Sequence, residues 1–367
     1  MNFTDLVPVV RILFSKEGLV TAKALLNIDN IEGLRKVGYD LSDDECITIL
    51  PGDDKADLVA LLKEQVKSNT KAVVFDGLGA VVKGKKVDNP NPYNPVEGRI
   101  VIVTGGAQGF GGGIAEELYA KGAHVVVADL NHEVGRGLVE KLKSSKQMNK
   151  AVFIPVNVGD SDSVKSMIET TVLELGGLDV IISNAGILRA GGLDEMDPDT
   201  FDLMTKVNYA GYFYCAKHAS KVMKLQSQVD ENHYMDIIQI NSKSGLKGSN
   251  RNFAYAGGKF GGIGLTQSFA LELMPNRIKV NSICPGNFFD GPLWSDPEKG
   301  LFVQYLNAGK VPGAKTIEDV QAHYEKQVPA GRGCRVADVA KAIVYVINQE
   351  YETGQAVPVT GGQEMLN

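Results

Sequence analysis

The chain has 367 residues, with 38 Lys+Arg against 44 Asp+Glu, so its net charge is −6; apolar types make up 44% and charged types 22%. That composition belongs to a globular protein with ample material for a core. The mild acidity speaks against a nucleic-acid-binding surface, and no apolar run reaches the roughly 18 residues that a bilayer span needs.

The opening stretch, MNFTDLVPVVRILFSKEG, sets an acid and an arginine inside its apolar run, so it does not read as a secretory signal. A cytoplasmic protein is the expectation. Residues 46–50, CITIL, predict a short buried strand, followed by a turn at Pro51-Gly52 and a helix start at Asp53 and Asp54. Leu58, Leu61, Leu62 and Val66 recur at helical spacing and carry that helix to about Ser68. AVVF at 72–75 predicts a second strand, and Gly77 to Gly84 a hairpin or bend. The acidic run Asp43, Asp44, Glu45 reads as a solvated helix cap rather than a metal site. Val87 to Gly98 holds three prolines and three asparagines in twelve residues, which predicts an extended connector. The expected division is a small α/β extension over 1–95 and a larger domain over 96–367.

Beyond the connector, strands are predicted at Arg99–Thr104, His124–Asp129, Ala151–Val156, Asp179–Ser183, Asp236–Asn241 and Lys279–Ile283. Helical patterns such as Ser163–Leu175 and Tyr255–Met274 lie between them. This alternation predicts a doubly wound, Rossmann-type parallel α/β sheet with helices on both faces, its crevice at the C-terminal ends of the strands.

Glycine is the compositional anomaly: 41 residues, about 11% against a usual ~7%. One burst, Thr104-Gly105-x-x-x-Gly109-x-Gly111, sits where a strand gives way to a helix. Gly105 permits the turn, Gly109 lets backbone approach a pyrophosphate, and Gly111 lets the helix pack closely on the sheet. The next strand ends at Asp129, whose carboxylate suits the adenosine ribose hydroxyls and repels a 2′-phosphate. With no cation at Gly106, Ala107 or Gln108, the loop favours NAD over NADP. Cys46, Cys215, Cys284 and Cys334 are scattered, and the five histidines lack metal spacing, so neither a disulfide framework nor a metal site is expected.

Tyr255 is the one tyrosine among 12 with lysine at i+4, Lys259, which puts both on one helical face. Ser242 lies 13 residues earlier, at the end of a predicted strand. Free tyrosine, with pKa about 10, is a weak base at neutral pH. A lysine ammonium beside it, together with a nicotinamide cation, would favour the phenolate and equip it to take an alcohol proton as hydride leaves carbon. Ser242 would hydrogen-bond the substrate oxygen. These residues, with the glycine loop, Ser183-Asn184-Ala185-Gly186, Asn208 and Pro285-Gly286, resemble the short-chain dehydrogenase/reductase family across nearly all of 96–367. The resemblance implies that Lys259 also binds the nicotinamide ribose and that Asn208 supports a proton-returning water chain. The cofactor contacts expected on this basis are Gly105, Gln108, Gly109, Phe110 and Gly111 in the loop and Asp129 and Leu130 after the second strand. Asn157 and Val158 follow the third strand, Asn184, Ala185 and Gly186 the fourth, and Tyr255, Lys259, Pro285 and Gly286 complete the set. The family also commonly assembles through the long helices before and at Tyr255, which implies a homo-oligomer, a tetramer or a dimer.

Two positions depart from the family pattern. Asn157 stands where aspartate is usual, and Asp290 where a threonine often follows Pro-Gly. The stretches IIQINSKSGLKGSNRN, KFGGIGLTQSFALEL, VPAGRGC and TGQAVPVTGGQ resemble the family's bacterial sorbitol-6-phosphate 2-dehydrogenases, which interconvert a hexitol phosphate and a ketose phosphate. Lys243, Arg189 and Arg251 are the expected substrate cations beside Ser242 and Tyr255, with Lys247, Arg332 and Arg335 as further candidates. Residues 287–328 are expected to form a lid helix pair over a polar pocket. A dehydrogenase of an unphosphorylated polyol stays open, as does a non-catalytic NAD-binding module. In the extension, AVVFDGLGAVVKGKK resembles the connector of proteins that fuse an aldolase to a dehydrogenase. No aldolase zinc histidines accompany it, so the unit reads as a remnant or an oligomer-forming extension.

Overall fold

Two sheets organise the chain, of which the computed structural model describes residues 2–50, 55–86, 93–145 and 147–365. The expected turn and helix start at 51–54, and the first half of the connector at 87–92, lie outside the described residues.

The first sheet is built from α1 (Phe3–Phe14), β1 (Val20–Leu26), α2 (Ile31–Lys36), β2 (Cys46–Ile49), α3 (Lys55–Gln65), β3 (Ala72–Phe75) and β4 (Gly79–Lys86). Its strand order is β1-β4-β3-β2, with β2 and β3 parallel and the other two pairs antiparallel. The hairpin expected after AVVF joins β3 to β4 and turns at Gly77, whose φ of +69° suits glycine. Helix α3 stops at Gln65, short of Ser68, because Thr70 Oγ1 accepts the Lys67 N–H (3.0 Å) and closes a turn instead. Asp43 to Glu45 form one 3₁₀ turn whose carboxylates face Arg35 and Lys71. The elements α1, β1 and α2 went unread in the sequence.

The second sheet begins with β5 (Ile100–Thr104), α4 (Gly109–Ala120), β6 (His124–Asp129), α5 (His132–Lys143), β7 (Ala151–Pro155), α6 (Ser161–Leu175) and β8 (Val180–Ser183). It continues through α7 (Pro198–Thr205), α8 (Gly211–Ser227), β9 (Met235–Ile240), α9 (Phe253–Leu273) and β10 (Ile278–Pro285). It closes with α10 (Pro292–Ser295), α11 (Leu301–Asn307), α12 (Ile317–Lys326), α13 (Val336–Asn348) and β11 (Ala356–Val359). All seven strands are parallel, in the order β11-β10-β9-β8-β5-β6-β7. Strands such as β5, β9 and β10 are buried along their whole length between two helical layers; β9 and β10 interrupt their apolar residues with buried polar ones, among them the paired Asp236 and Lys279. Helices α4, α5 and α13 cover one face, and α6, α8 and α9 the other. The chain reverses direction between β5 and β8, which opens a crevice at their C-terminal ends.

The two sheets share one core. Leu6, Val7, Val9, Val10 and Leu13 of α1 are buried in the same apolar cluster as Val164 and Met167 of α6 and Cys215 and Ala219 of α8. A helix enclosed on nearly every side carries no polar face. Its one buried charge, Arg11, reaches Asp179 at the start of β8. Nη1 and Nη2 donate to the two carboxylate oxygens at 2.8 and 2.6 Å, and Nε donates to the Val20 carbonyl at 2.8 Å. Asp179 also accepts from the Ile100 N–H and bonds His233 Nε2. Among the described residues no helix is long and apolar enough to cross a membrane.

Candidate active site

At the crevice, Gly105 leaves β5 with φ +60° and turns the chain into α4. A side chain on Gly111 would collide with the Gly105 carbonyl oxygen and the Asn184 amide, so this glycine sets how closely α4 approaches the loop. Asn184, at the end of β8, fastens the turn: its Nδ2 donates to the carbonyls of Thr104 (3.0 Å) and Gly105 (3.1 Å). Thr104 Oγ1 accepts the N–H groups of Asn184 and Ala185 in return. Asp129 closes the other side, with Oδ2 accepting the Ala107 N–H (3.0 Å) and Oδ1 the Asn131 N–H (2.9 Å). Every residue assigned to the cofactor except Gly111 lines one cavity of about 810 Å³. A glycine cradle at a helix N-terminus, with a carboxylate a strand away, fits a dinucleotide.

The reactive end lies where β9 and α9 meet. Asn241 ties them together, its Nδ2 donating to the Lys259 carbonyl (2.9 Å). Ser242 Oγ accepts the Ser244 N–H (3.1 Å), and the Ser242 hydroxyl lies near enough to Tyr255 to act on its pKa. Lys259 Nζ donates to the Ile240 carbonyl (2.8 Å) and stands 5.5 Å from the centre of the Tyr255 ring. Asn208 sits in a five-residue π-helical stretch, Lys206–Ala210, where an ordinary helix was expected. It grips both backbone groups of Ile187, at 2.8 Å each.

Electrostatics correct one expectation. Burial pushes Tyr255 up to about 12, against the lowering effect of Ser242, and the expected lowering by Lys259 does not appear. Burial also pushes Lys259 down to about 8. Desolvation wins over the neighbouring ammonium while no further charge is bound.

The candidate cations divide. Lys243 and Arg189 line the cavity. Arg251 is not among the lining residues; it forms an ion pair with Glu195, and its φ of +60° bends the loop. Lys247 pairs with Glu364 (3.5 Å) and Arg332 with Asp338 at the start of α13, both off the cavity. Arg335 is the N-cap residue of α13. Asp290 does not line the cavity either, and the neighbouring Asn287 does.

Three short helices, α10 to α12, stand where a lid pair was expected. They pack Trp294 against Phe289 (5.2 Å), Phe302 (5.1 Å) and Tyr324 (5.2 Å). Trp294, Leu301, Tyr305 and Tyr324 give the cavity aromatic and apolar lining, alongside the polar Ser242, Lys243 and Asn252. The pocket is therefore mixed rather than wholly polar. Sequence reasoning also missed Lys310, Asn252 and Asn287 as lining residues. Only Asn287 carried a signal, its place after Pro285-Gly286.

Residues 99–294 match the family described as short chain dehydrogenase. The chain belongs to that family. This dehydrogenase is 33% identical over 270 residues to sorbitol-6-phosphate 2-dehydrogenase of Escherichia coli (strain K12), covering 73% of this chain and 99% of the relative. It is 29% identical over 275 residues to trans-4-hydroxycyclohexanecarboxylate dehydrogenase of Sinomonas cyclohexanicum, covering 73% and 94%. The crystal structure of sorbitol-6-phosphate 2-dehydrogenase from Erwinia amylovora superposes with a TM-score of 0.67 at 35% identity, covering 73% of this chain and all of that one. The chain is thus an oxidoreductase of a family that uses a nicotinamide cofactor, on a Rossmann-like sheet.

Proposed function

We propose that this dehydrogenase uses NAD to interconvert a hexitol phosphate and its ketose phosphate, sorbitol 6-phosphate and fructose 6-phosphate, and that it works as a homo-oligomer. The observation that carries the substrate is Lys243, a half-buried cation adjacent in sequence to Ser242 and lining the cavity that holds Tyr255. The two sorbitol-6-phosphate relatives, both above 30% identity, support the same choice. Asp129 supports NAD, since its carboxylate would meet a 2′-phosphate with like charge.

The bound nicotinamide supplies the hydride acceptor or donor. The chain's own residues handle position and proton. Ser242 Oγ accepts from the Ser244 N–H, which fixes the hydroxyl beside Tyr255 where it can orient the substrate oxygen. Tyr255, held near 12 by burial, keeps its proton at neutral pH and is set to donate it to a developing alkoxide. In the oxidation direction the same phenol has to lose that proton, and positive charge brought beside it lowers its pKa. Lys259, near 8, is mostly charged at pH 7 and stands one helical turn away, its ammonium held by the Ile240 carbonyl. Asn208 fixes the Ile187 backbone behind this group.

Initial rates of NAD and NADP reduction with sorbitol 6-phosphate and with sorbitol test the reading. NAD with the phosphorylated hexitol should give the highest kcat/KM. Equal rates with sorbitol overturn the substrate, and equal rates with NADP overturn the cofactor. Tyr255→Phe should lose about 10²- to 10⁴-fold in kcat; a wild-type rate would remove Tyr255 from the mechanism.

A further inference from the structure

We propose that Lys310, carried by the loop between α11 and α12, joins Lys243 in a subsite for the substrate phosphate. This rests on the phosphorylated-polyol reading above. Gly309, at φ +58°, reverses the chain after α11, and the Lys310 N–H returns to the Tyr305 carbonyl (2.9 Å). The Lys310 ammonium then stands 3.9 Å from the centre of the Tyr305 ring. Both lysines line the cavity that holds Ser242 and Tyr255.

What singles out this pair is the absence of an ion-pair partner: Glu364, the carboxylate that attracts Lys243, is itself paired with Lys247. Among the described residues, neither ammonium has a carboxylate within 4.0 Å, whereas Arg251, Lys247 and Arg332 each have one. Arg189 and Lys299 also line the cavity but are exposed and hydrated. Lys243 and Lys310 are half-buried, so each has lost hydration without gaining a partner. Burial, then Lys243 and Arg251, push Lys310 down to about 8, and burial lowers Lys243 against the pull of Glu364. A dianion placed between them relieves both repulsion and desolvation, and a phosphate monoester is mostly dianionic at neutral pH, with a second pKa about 6.

Two amides that line the same cavity each carry one unpaired atom. Asn252, buried, donates Nδ2 to the Tyr305 hydroxyl (3.0 Å), and its Oδ1 has no partner. Exchanging the amide oxygen and nitrogen would orphan the other end instead. Asn287, also buried, leaves Nδ2 without a partner. Both residues line the cavity, but these two atoms lie behind its surface, so a hydroxyl-rich ligand would reach them only after the side chains turn.

Two measurements test the subsite. In steady-state kinetics, Lys310→Met should cut the preference for sorbitol 6-phosphate over sorbitol, as a ratio of kcat/KM, by roughly 10- to 150-fold. Lys310→Arg, which keeps the charge, should hold the ratio within a few-fold and controls for folding. In acetylation of the wild-type protein followed by mass spectrometry, inorganic phosphate should slow modification of Lys310 and Lys243 relative to equal ionic strength of chloride, and leave an exposed lysine such as Lys217 unchanged. An unchanged ratio in Lys310→Met, or unchanged labelling in phosphate, overturns the subsite. If wild type shows no preference for the phosphorylated hexitol while phosphate still protects Lys310, the substrate reading falls and the anion site stands.

Discussion

Replacing Arg11 by methionine tests whether the N-terminal unit is part of the dehydrogenase fold. The side chain is fully buried and makes three hydrogen bonds, two of them to Asp179, which is also fully buried. Methionine fills much of the volume but leaves Asp179 with only the Ile100 N–H and His233. Removing one partner of a buried ion pair costs about 3–5 kcal/mol, against a total stability of about 5–15 kcal/mol. Urea unfolding, followed by far-UV circular dichroism and by the fluorescence of Trp294, should show that loss at pH 7. In the wild type, burial raises the Asp179 pKa, but Arg11 and His233 outweigh it and hold it well below the usual carboxylate range. This stabilisation is present above the unfolded pKa near 3.9 and is lost only as pH falls through the lower folded value. In Arg11→Met burial is largely unopposed, the folded pKa rises above the unfolded one, and the folded variant gains relative stability as acid protonates Asp179. The deficit should therefore be greatest at neutral pH and shrink towards pH 4.5. Adding Asp179→Asn should recover part of it. A deficit under 1 kcal/mol at pH 7, or no recovery in the double variant, would refute the reasoning.

Lys259→Met should abolish hydride transfer yet raise stability at pH 7 by about 1–3 kcal/mol, since it removes a buried ammonium. Lys259 titrates near 8 when folded and near 10.5 when unfolded, so between those values the unfolded chain binds more protons. Wild-type stability should then gain more between pH 8 and 10 than that of Lys259→Met, as denaturant midpoints would show; parallel profiles would contradict it. Asp129→Ala removes the acceptor for two loop N–H groups and the charge facing the ribose. Its NAD:NADP ratio of kcat/KM should fall about 10- to 100-fold, and an unchanged ratio would disconnect Asp129 from coenzyme choice.

The larger sheet was readable because strands buried on both faces are written as largely apolar runs, and the glycine loop and the Tyr255–Lys259 pair because turn and helix geometry fix their spacing; Asn184 and Ser242 came through the family resemblance. The N-terminal unit was less readable for the same kind of reason inverted. Helix α1 is buried nearly all round, so its apolar residues show no stripe, and the partner that makes Arg11 tolerable lies 168 positions away. Charges named from sequence carry no record of who neutralises them. Arg332 was within reach, because Asp338 sits at the third position of a helix just downstream, whereas the Glu195 partner of Arg251 comes from a distant loop. Burial was equally invisible: the raised pKa of Tyr255 reflects the covering helices, not its sequence neighbours.

The fusion of the two units at α1 also orders events during synthesis. Helix α1 leaves the ribosome before its partners: Asp179 follows Arg11 by 168 residues, and α8, on which α1 packs, comes later still. At about 5–20 residues per second the nascent chain carries an unpaired arginine on an apolar helix for roughly 10–30 s. Over that interval α1 lacks the core it packs into, so the extension is secured only after α6 and α8 have been made.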